Sequence, residues 1–136
     1  MAKVRKVDYF VMQARNRAGE GARLLKALKQ HDVGLLAFTA FPAGAGAQVD
    51  FVPEDTRRFL AAVKALGWKV SARKIGFLVQ GKDKTGALAG LLNKLGKAGI
   101  NVIALDGVGA GKKRFGAIFW VAPADVAKAV KLLGAG

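Results

Sequence analysis

The residues best placed to do chemistry are Asp83, Thr85, Gly86, Ala87 and Leu88, with Asn101 and Val102 a short way downstream. The first five lie where an aromatic and β-branched stretch, residues 75–80, gives way to leucines spaced along one helix face. Glycine in a strand-to-helix loop lets a ligand approach the backbone closely. The free N–H groups at a helix start, reinforced by the helix dipole, favour a carboxylate. Asn101 offers both a donor and an acceptor, as the ammonium or polar side chain of a bound amino acid requires. Such groups suit a small acid. The same residues also admit a purely structural reading: Gly86 for a tight loop, Asp83 or Thr85 as a helix cap, and Asn101 at a strand end.

Catalysis finds no support. Nine carboxylates form no evident acid–base pair, and one histidine cannot complete a nucleophilic triad or share a metal. His31 reads as a polar residue at a helix end. The absence of cysteine removes disulfides, thiolate metal sites and cysteine nucleophiles together. No cofactor is implied. The run from Gly107 to Lys113 looks like a phosphate loop, but Asp106 and Lys113 stand where glycine and a hydroxyl residue are needed, and a strand rather than a helix follows. Lys113 to Trp120 echoes the signature of RNA-recognition motifs, yet Ala117 replaces a base-stacking ring.

Lysine and arginine number 23 against nine acids, a net charge of +14, which suits anionic metabolites, nucleic acid or an acidic protein. The charges are spread over expected helix faces, and the triplet Lys112, Lys113, Arg114 is the dense exception. No apolar run approaches the about 20 residues of a membrane span. The start of the chain passes from Lys3, Arg5 and Lys6 into an alternating segment without a cleavage-like site, so the expectation is a soluble, unprocessed, cytoplasmic protein.

The elements that must position the loop occur twice. Arg15 to Gly19 recurs 67 positions later as Lys82 to Gly86, and the same shift carries Leu24, Leu25 and Leu28 onto Leu91, Leu92 and Leu95. Val33, Leu35 and Ala37 likewise fall on Ile100, Val102 and Ala104. Each copy reads strand, helix, strand, strand, helix, the order of a split βαβ unit. The strands are predicted at residues 7–13, 34–41 and 48–52, then at 75–80, 100–105 and 115–121. The glycine-rich stretches 42–47 and 107–111 are expected to be hairpin connections. Proline followed by acid, at Pro53 to Asp55 and Pro123 to Asp125, marks two helix starts. These helices are expected to bury Phe59, Leu60, Val63 and Leu66, and Val126, Val130 and Leu133. Gly99 stands where a left-handed helix cap is expected.

A fourth strand for the first copy is expected at residues 68–74, whereas the second copy has none after Leu133. Residues 2 to 6 are expected to supply it, as an exchange between copies. Gln48 to Phe51 alternates, predicting one wet sheet face, while the uniformly apolar residues 115–121 predict a strand buried on both faces.

The sequence Asp83, Lys84, Thr85, Gly86, Ala87, Leu88, with Gly99, Ile100, Asn101, Val102 beyond it, resembles the ACT domain, a small regulatory module. Its first loop typically reads acid, x, Pro, Gly, x, Leu and its second strand begins Gly, Ile, Asn. Thr85 stands where proline is usual. In the first copy Asn16, Ala18, Gly19 and Gly21 replace the loop, and Asp32, Val33, Gly34 replace the strand start, so its loop is a secondary candidate. The resemblance implies an α+β chain of two ferredoxin-like βαββαβ repeats, residues 1–72 and 73–136, with antiparallel sheets covered by helices on one face. It implies binding of a small carboxylate metabolite, an amino acid by first choice, at an interface between two such domains. The partners expected are a second copy of the chain and an enzyme or regulator under its control. Two other readings stand open: an RNA-binding module using Lys112 to Arg114 and the aromatic third strand, and an assembly partner with an empty pocket.

Overall fold

The computed structural model describes every residue except Met1 and residues 83–85. The chain divides into two compact units. The first is Asp8–Lys74, and the second joins the residues up to Val7 to Ile75–Gly136.

The first unit holds the latter part of β1 (Lys3–Ala14), then α1 (Glu20–Gln30), β2 (Leu35–Ala43), β3 (Gly46–Pro53) and α2 (Thr56–Leu66). Its sheet has the order β2-β3-β1, antiparallel throughout. Alternate strand positions select one face: Phe10 and Met12 of β1 join Val49 and Phe51 of β3 in the core. Leu24 and Leu28 of α1 and Phe59, Ala62 and Val63 of α2 close over them. The Phe59 ring lies 5.1 Å from that of Phe10 and 5.4 Å from that of Phe51. Asp55 starts α2 by accepting the Arg58 N–H at 3.1 Å, as the proline-acid signal requires.

In the second unit the elements are β4 (Lys74–Lys82), α3 (Ala87–Lys97), β5 (Val102–Gly109), β6 (Arg114–Val121), a 3-10 turn at Pro123–Asp125 and α4 (Val126–Leu133). The sheet order is the start of β1, then β4, β6 and β5. The Lys6 N–H donates to the Ala135 carbonyl at 3.0 Å. Phe77 and Phe119 stack at 5.1 Å within a core that includes Leu95, Ile100 and Ala129.

The internal repeat survives in fine detail. Helices α1 and α3 are both eleven residues long and begin and end 67 positions apart. Gly19 and Gly86 precede them with φ of 86° and 80°. Past their ends, Asp32 and Gly99 are left-handed, and Val33 and Ile100 donate back to Leu28 and Leu95. In both copies the ladder of the next strand slips at the same place, between Leu35 and Ala37 and between Val102 and Ala104. Phe10, Phe51 and Phe38 form a row across one sheet that Phe77, Phe119 and Leu105 repeat in the other.

Several expectations need correction. Residues 68–73 carry no strand. The Ser71 N–H donates to the Val11 carbonyl at 2.9 Å, but the Val11 N–H turns to the Ser71 hydroxyl at 3.0 Å, so a side chain interrupts the ladder. The wet face predicted beside Phe51 is closed at Asp50, only 7% exposed, whose carboxylate accepts from Thr39 Oγ1 and Gln48 Nε2. Alternation reports which face a residue occupies, not what lies over it. Burial, and secondarily the Asp50 charge, push the Tyr9 phenol above its usual range. Leu25 and Leu60 are exposed rather than buried.

Gly107 to Gly109 belong to β5, and the turn begins only afterwards, with Lys112 and Lys113 at positive φ. Gly107 serves close packing: a Cβ there would lie 2.8 Å from Leu88 Cδ1. Both faces of β6 are buried, as expected, with Ile118 and Trp120 on one and Phe115, Ala117 and Phe119 on the other.

Candidate functional site

In each unit a left-handed glycine, Gly19 or Gly86, stands directly before the helix that follows the first strand. In the first, the helix opens on Glu20, a residue only 5% exposed. Its Oε2 accepts the Arg15 N–H at 3.2 Å and Arg23 Nη2 at 3.0 Å, and its Oε1 accepts Arg23 Nε at 2.9 Å. Arg17 Nε lies 3.8 Å away. The Arg23 hydrogen bonds, followed by the Arg15 N–H, hold this carboxyl down to about 2. An anion is thus seated in the first loop, and it belongs to the chain itself.

Beside it a cleft of about 170 Å³ opens between the loop and the β2–β3 hairpin. Asn16 and Glu20 line it on the loop side, and Leu24, Phe38, Phe41 and Ala47 supply its apolar wall. Of the secondary candidates, Asn16 reaches this cleft, whereas Ala18 and Gly19 are exposed and do not line it. Glu20 escaped the sequence reading. Its signal was an acid at a helix start with arginine three positions on, a spacing that brings the side chains together.

In the second unit Asp83 and Thr85 lie outside the described residues. Gly86 adopts φ of 80° ahead of α3, and its carbonyl accepts the Gly90 N–H at 3.1 Å. Glycine offers no side chain to the helix N-terminus, and Ala87 takes the position that Glu20 holds in the first unit. Leu88 lies half-buried against Gly107.

Asn101 is exposed, Val102 is half-buried, and the register separates both from that loop. Phe115 pairs with Gly81 on one side and Gly109 on the other, so Gly109 marks the loop end of the sheet. Val102 pairs with Val121 at the far end, seven residues along β5, which at about 3.3 Å per residue is roughly 20 Å away. The two halves of the predicted pocket therefore stand at opposite ends of one sheet.

The residues named for RNA binding are also separated by burial. Lys112, Lys113 and Arg114 are exposed, but Phe115, Phe119 and Trp120 are 7%, 0% and 6% exposed. The β6 rings are packed away from the solvent that bases would occupy. Among the described residues no group of three or more His, Asp or Glu side chains could hold a metal. No helix among them is long and apolar enough to cross a membrane.

Neither a protein-family model nor a curated protein matches the sequence. Solved structures do. A protein of Bacteroides thetaiotaomicron superposes with a TM-score of 0.76 at 17% identity, over 98% of this chain and 88% of that one. The regulatory subunit of aspartate kinase from Thermus thermophilus gives 0.64 at 13% identity, over 98% and 94%. The one from Thermus flavus gives 0.61 at 14%, again over 98% and 94%. These neighbours are similar in fold over 88–94% of their own length, and the two aspartate kinase members are regulatory subunits. The chain therefore has the tandem ferredoxin-like, ACT-type fold seen in the regulatory subunits of aspartate kinases.

Proposed function

We propose that this protein is a regulatory, non-catalytic binder of a small carboxylate metabolite, an amino acid by first choice. Its two ACT-like repeats are residues 1–72 and 73–136, with residues 2 to 6 serving as the fourth strand of the second. The ligand carboxylate sits at the start of α3, in the loop containing Asp83, Thr85, Gly86, Ala87 and Leu88. Asn101 and Val102 complete the pocket from another copy of the chain, because the register keeps them about 20 Å from the loop of their own sheet. Ligand binding is thereby linked to homo-oligomer assembly, or to affinity for the enzyme or regulator it controls.

One observation carries this reading. The first unit seats a carboxylate, that of Glu20, in its loop, and the matching loop of the second unit has no such side chain at Ala87. The likeness to regulatory subunits of aspartate kinase supports an amino acid as the ligand class. The burial of the β6 rings weighs against base stacking, which supplies about 1–3 kcal/mol per base where it operates.

The test is a thermal-shift screen of the full chain against the twenty amino acids and common nucleotides. A ligand that binds only the folded protein adds about 2.7 kcal/mol at 100 times its Kd. A selective rise in Tm with one amino acid, lost in Asn101→Ala, is expected. Silence from every amino acid at millimolar concentration overturns the reading and turns attention to nucleic acid at Lys112 to Arg114, or to a protein partner with no ligand.

A further inference from the structure

The two units complete their sheets unequally. The repeat offset of 67 carries Val11, Gln13 and Ala14 of β1 onto Leu78, Gln80 and Gly81 of β4. Beside Gly81 the second unit places the backbone of Ala2: a Cβ on Gly81 would lie 2.7 Å from the Ala2 Cα. The chain that flanks β4 therefore runs to the loop end of that sheet. In the first unit the flanking segment stops short. The Ser71 N–H donates to the Val11 carbonyl and the Ser71 hydroxyl accepts the Val11 N–H, so both backbone groups of Val11 point away from β3. Those of Gln13, two residues on, point the same way. An antiparallel partner continuing from Ser71 would set Lys69 against Gln13. Residues 68–70 form no strand, and among the described residues no backbone hydrogen bond joins Lys69 to Gln13. The edge of β1 is open from Gln13 onward, where the second unit has main chain beside Gly81.

A groove of about 810 Å³ lies along this edge. Arg15, Arg23, Lys69 and Lys74 line it against one acid, Glu20, and Arg23 already holds that carboxylate. Arg15, Lys69 and Lys74 are exposed, and among the described residues none of the three forms an ion pair. Met12 and Trp68 add apolar surface. An unpaired strand edge recruits an added strand through its backbone groups. Three uncompensated cations select a strand that carries acids, and a second copy of a chain with net charge +14 is a poor match for them. We propose that the open edge of β1 at Gln13 is a docking site for an extended acidic segment of a partner protein, which adds to the first sheet in the position that Ala2 takes beside Gly81. The Gln13 backbone fixes the segment, and Arg15, Lys69 and Lys74 choose its charge. The site lies within the first unit and does not depend on a ligand at α3.

The probe is the fluorescein-labelled peptide Glu-Val-Glu-Val-Glu-Val-Glu, titrated with the full chain and followed by anisotropy, with amide exchange read by NMR. An added strand uses every second N–H of the peptide. N-methylation of either the valines or the glutamates, but not of both sets alike, is therefore expected to weaken binding about tenfold or more. The Gln13 amide should exchange more slowly in the complex. Lys69→Glu should weaken binding, whereas Lys26→Glu, an equal change of charge on the exposed face of α1, should not. Binding that both methylated peptides retain equally, or that Lys26→Glu weakens as much as Lys69→Glu, is charge attraction without strand addition and overturns the proposal. So does equal affinity for Lys-Val-Lys-Val-Lys-Val-Lys, or no binding of the acidic peptide at low ionic strength. Protection of the Gln13 amide that rises with protein concentration in the absence of peptide assigns the edge to a second copy and overturns it as well. Peptide binding without any amino-acid response leaves this site standing and removes the proposed function; an amino-acid response without peptide binding does the reverse.

Discussion

At the scale of single residues, Glu20 decides the character of the first loop, and its titration carries a consequence for stability. Its carboxyl is lowered from an ordinary value of 4.5 to about 2, chiefly by the Arg23 hydrogen bonds and then by the Arg15 N–H. The unfolded chain takes up a proton there at higher pH than the folded one, so the contribution is fully present above pH 4.5 and is lost as pH falls toward 2. Urea midpoints measured from pH 6 to pH 2 are expected to fall less steeply in Glu20→Gln than in wild type below pH 4.5. Parallel curves for the two proteins would show that the carboxylate is not held as described. Asp32 makes a related point. It adopts φ of 57° where its counterpart Gly99 has 76°, and Arg58 Nη1 reaches its Oδ2 at 2.9 Å. The left-handed cap was readable at Gly99 from its type alone, whereas Asp32 carried no such signal.

Among the elements, the helices were far more legible than the ends of the strands. Leucine spacing, a cap residue and a repeat offset of 67 all mark the same helix limits, and α1 and α3 honour that offset at both ends. Strand ends carry no such local signal. Gly107 has a turn-forming type, but its neighbour Leu88, distant in sequence, keeps it in β5. Residues 68–73 have a strand-forming type, but the Ser71 hydroxyl diverts the Val11 N–H. For β6 the reading from composition is sound: an uninterrupted apolar run is buried on both faces. Phe119, fully buried and stacked on Phe77, is therefore expected to cost about 3–5 kcal/mol when replaced by alanine, measured by urea denaturation. A loss below about 1 kcal/mol, accompanied by loss of RNA affinity, would instead restore the ring to a surface role.

Over the whole molecule, the notable feature is that the second unit draws on both ends of the chain. Residues up to Val7 cluster with Ile75–Gly136, and Lys6 donates to Ala135 near the other terminus. Val4 packs against the same core as Phe77 and Phe119. Units of about 60 residues bury little surface and are marginal when incomplete. Deleting residues 2–6 is thus expected to speed hydrogen exchange in β4 and α4 far more than in β2 and β3. Uniform changes across both units would rule out this arrangement. The separation of Asn101 from the end of the sheet next to Gly86 is likewise a property of the whole sheet.

What the amino-acid order determined by itself is the local and the repeated: two copies of one βαββα plan, helices with their caps, a doubly buried β6, and a glycine directly before each of α1 and α3. Each of these follows from side-chain type and spacing within a few turns of chain, so it can be read without knowing what packs where. Only the tertiary structure decided what long-range pairing controls. Register placed Asn101 and Val102 at the far end of the sheet from Gly86, because the paired strands fix position along their length regardless of how near residues lie in sequence. Folding closed the polar face over Asp50, and it turned an unremarked glutamate into the buried occupant of the first loop. There the Arg15 N–H and the Arg23 guanidinium converge only once strand and helix have met.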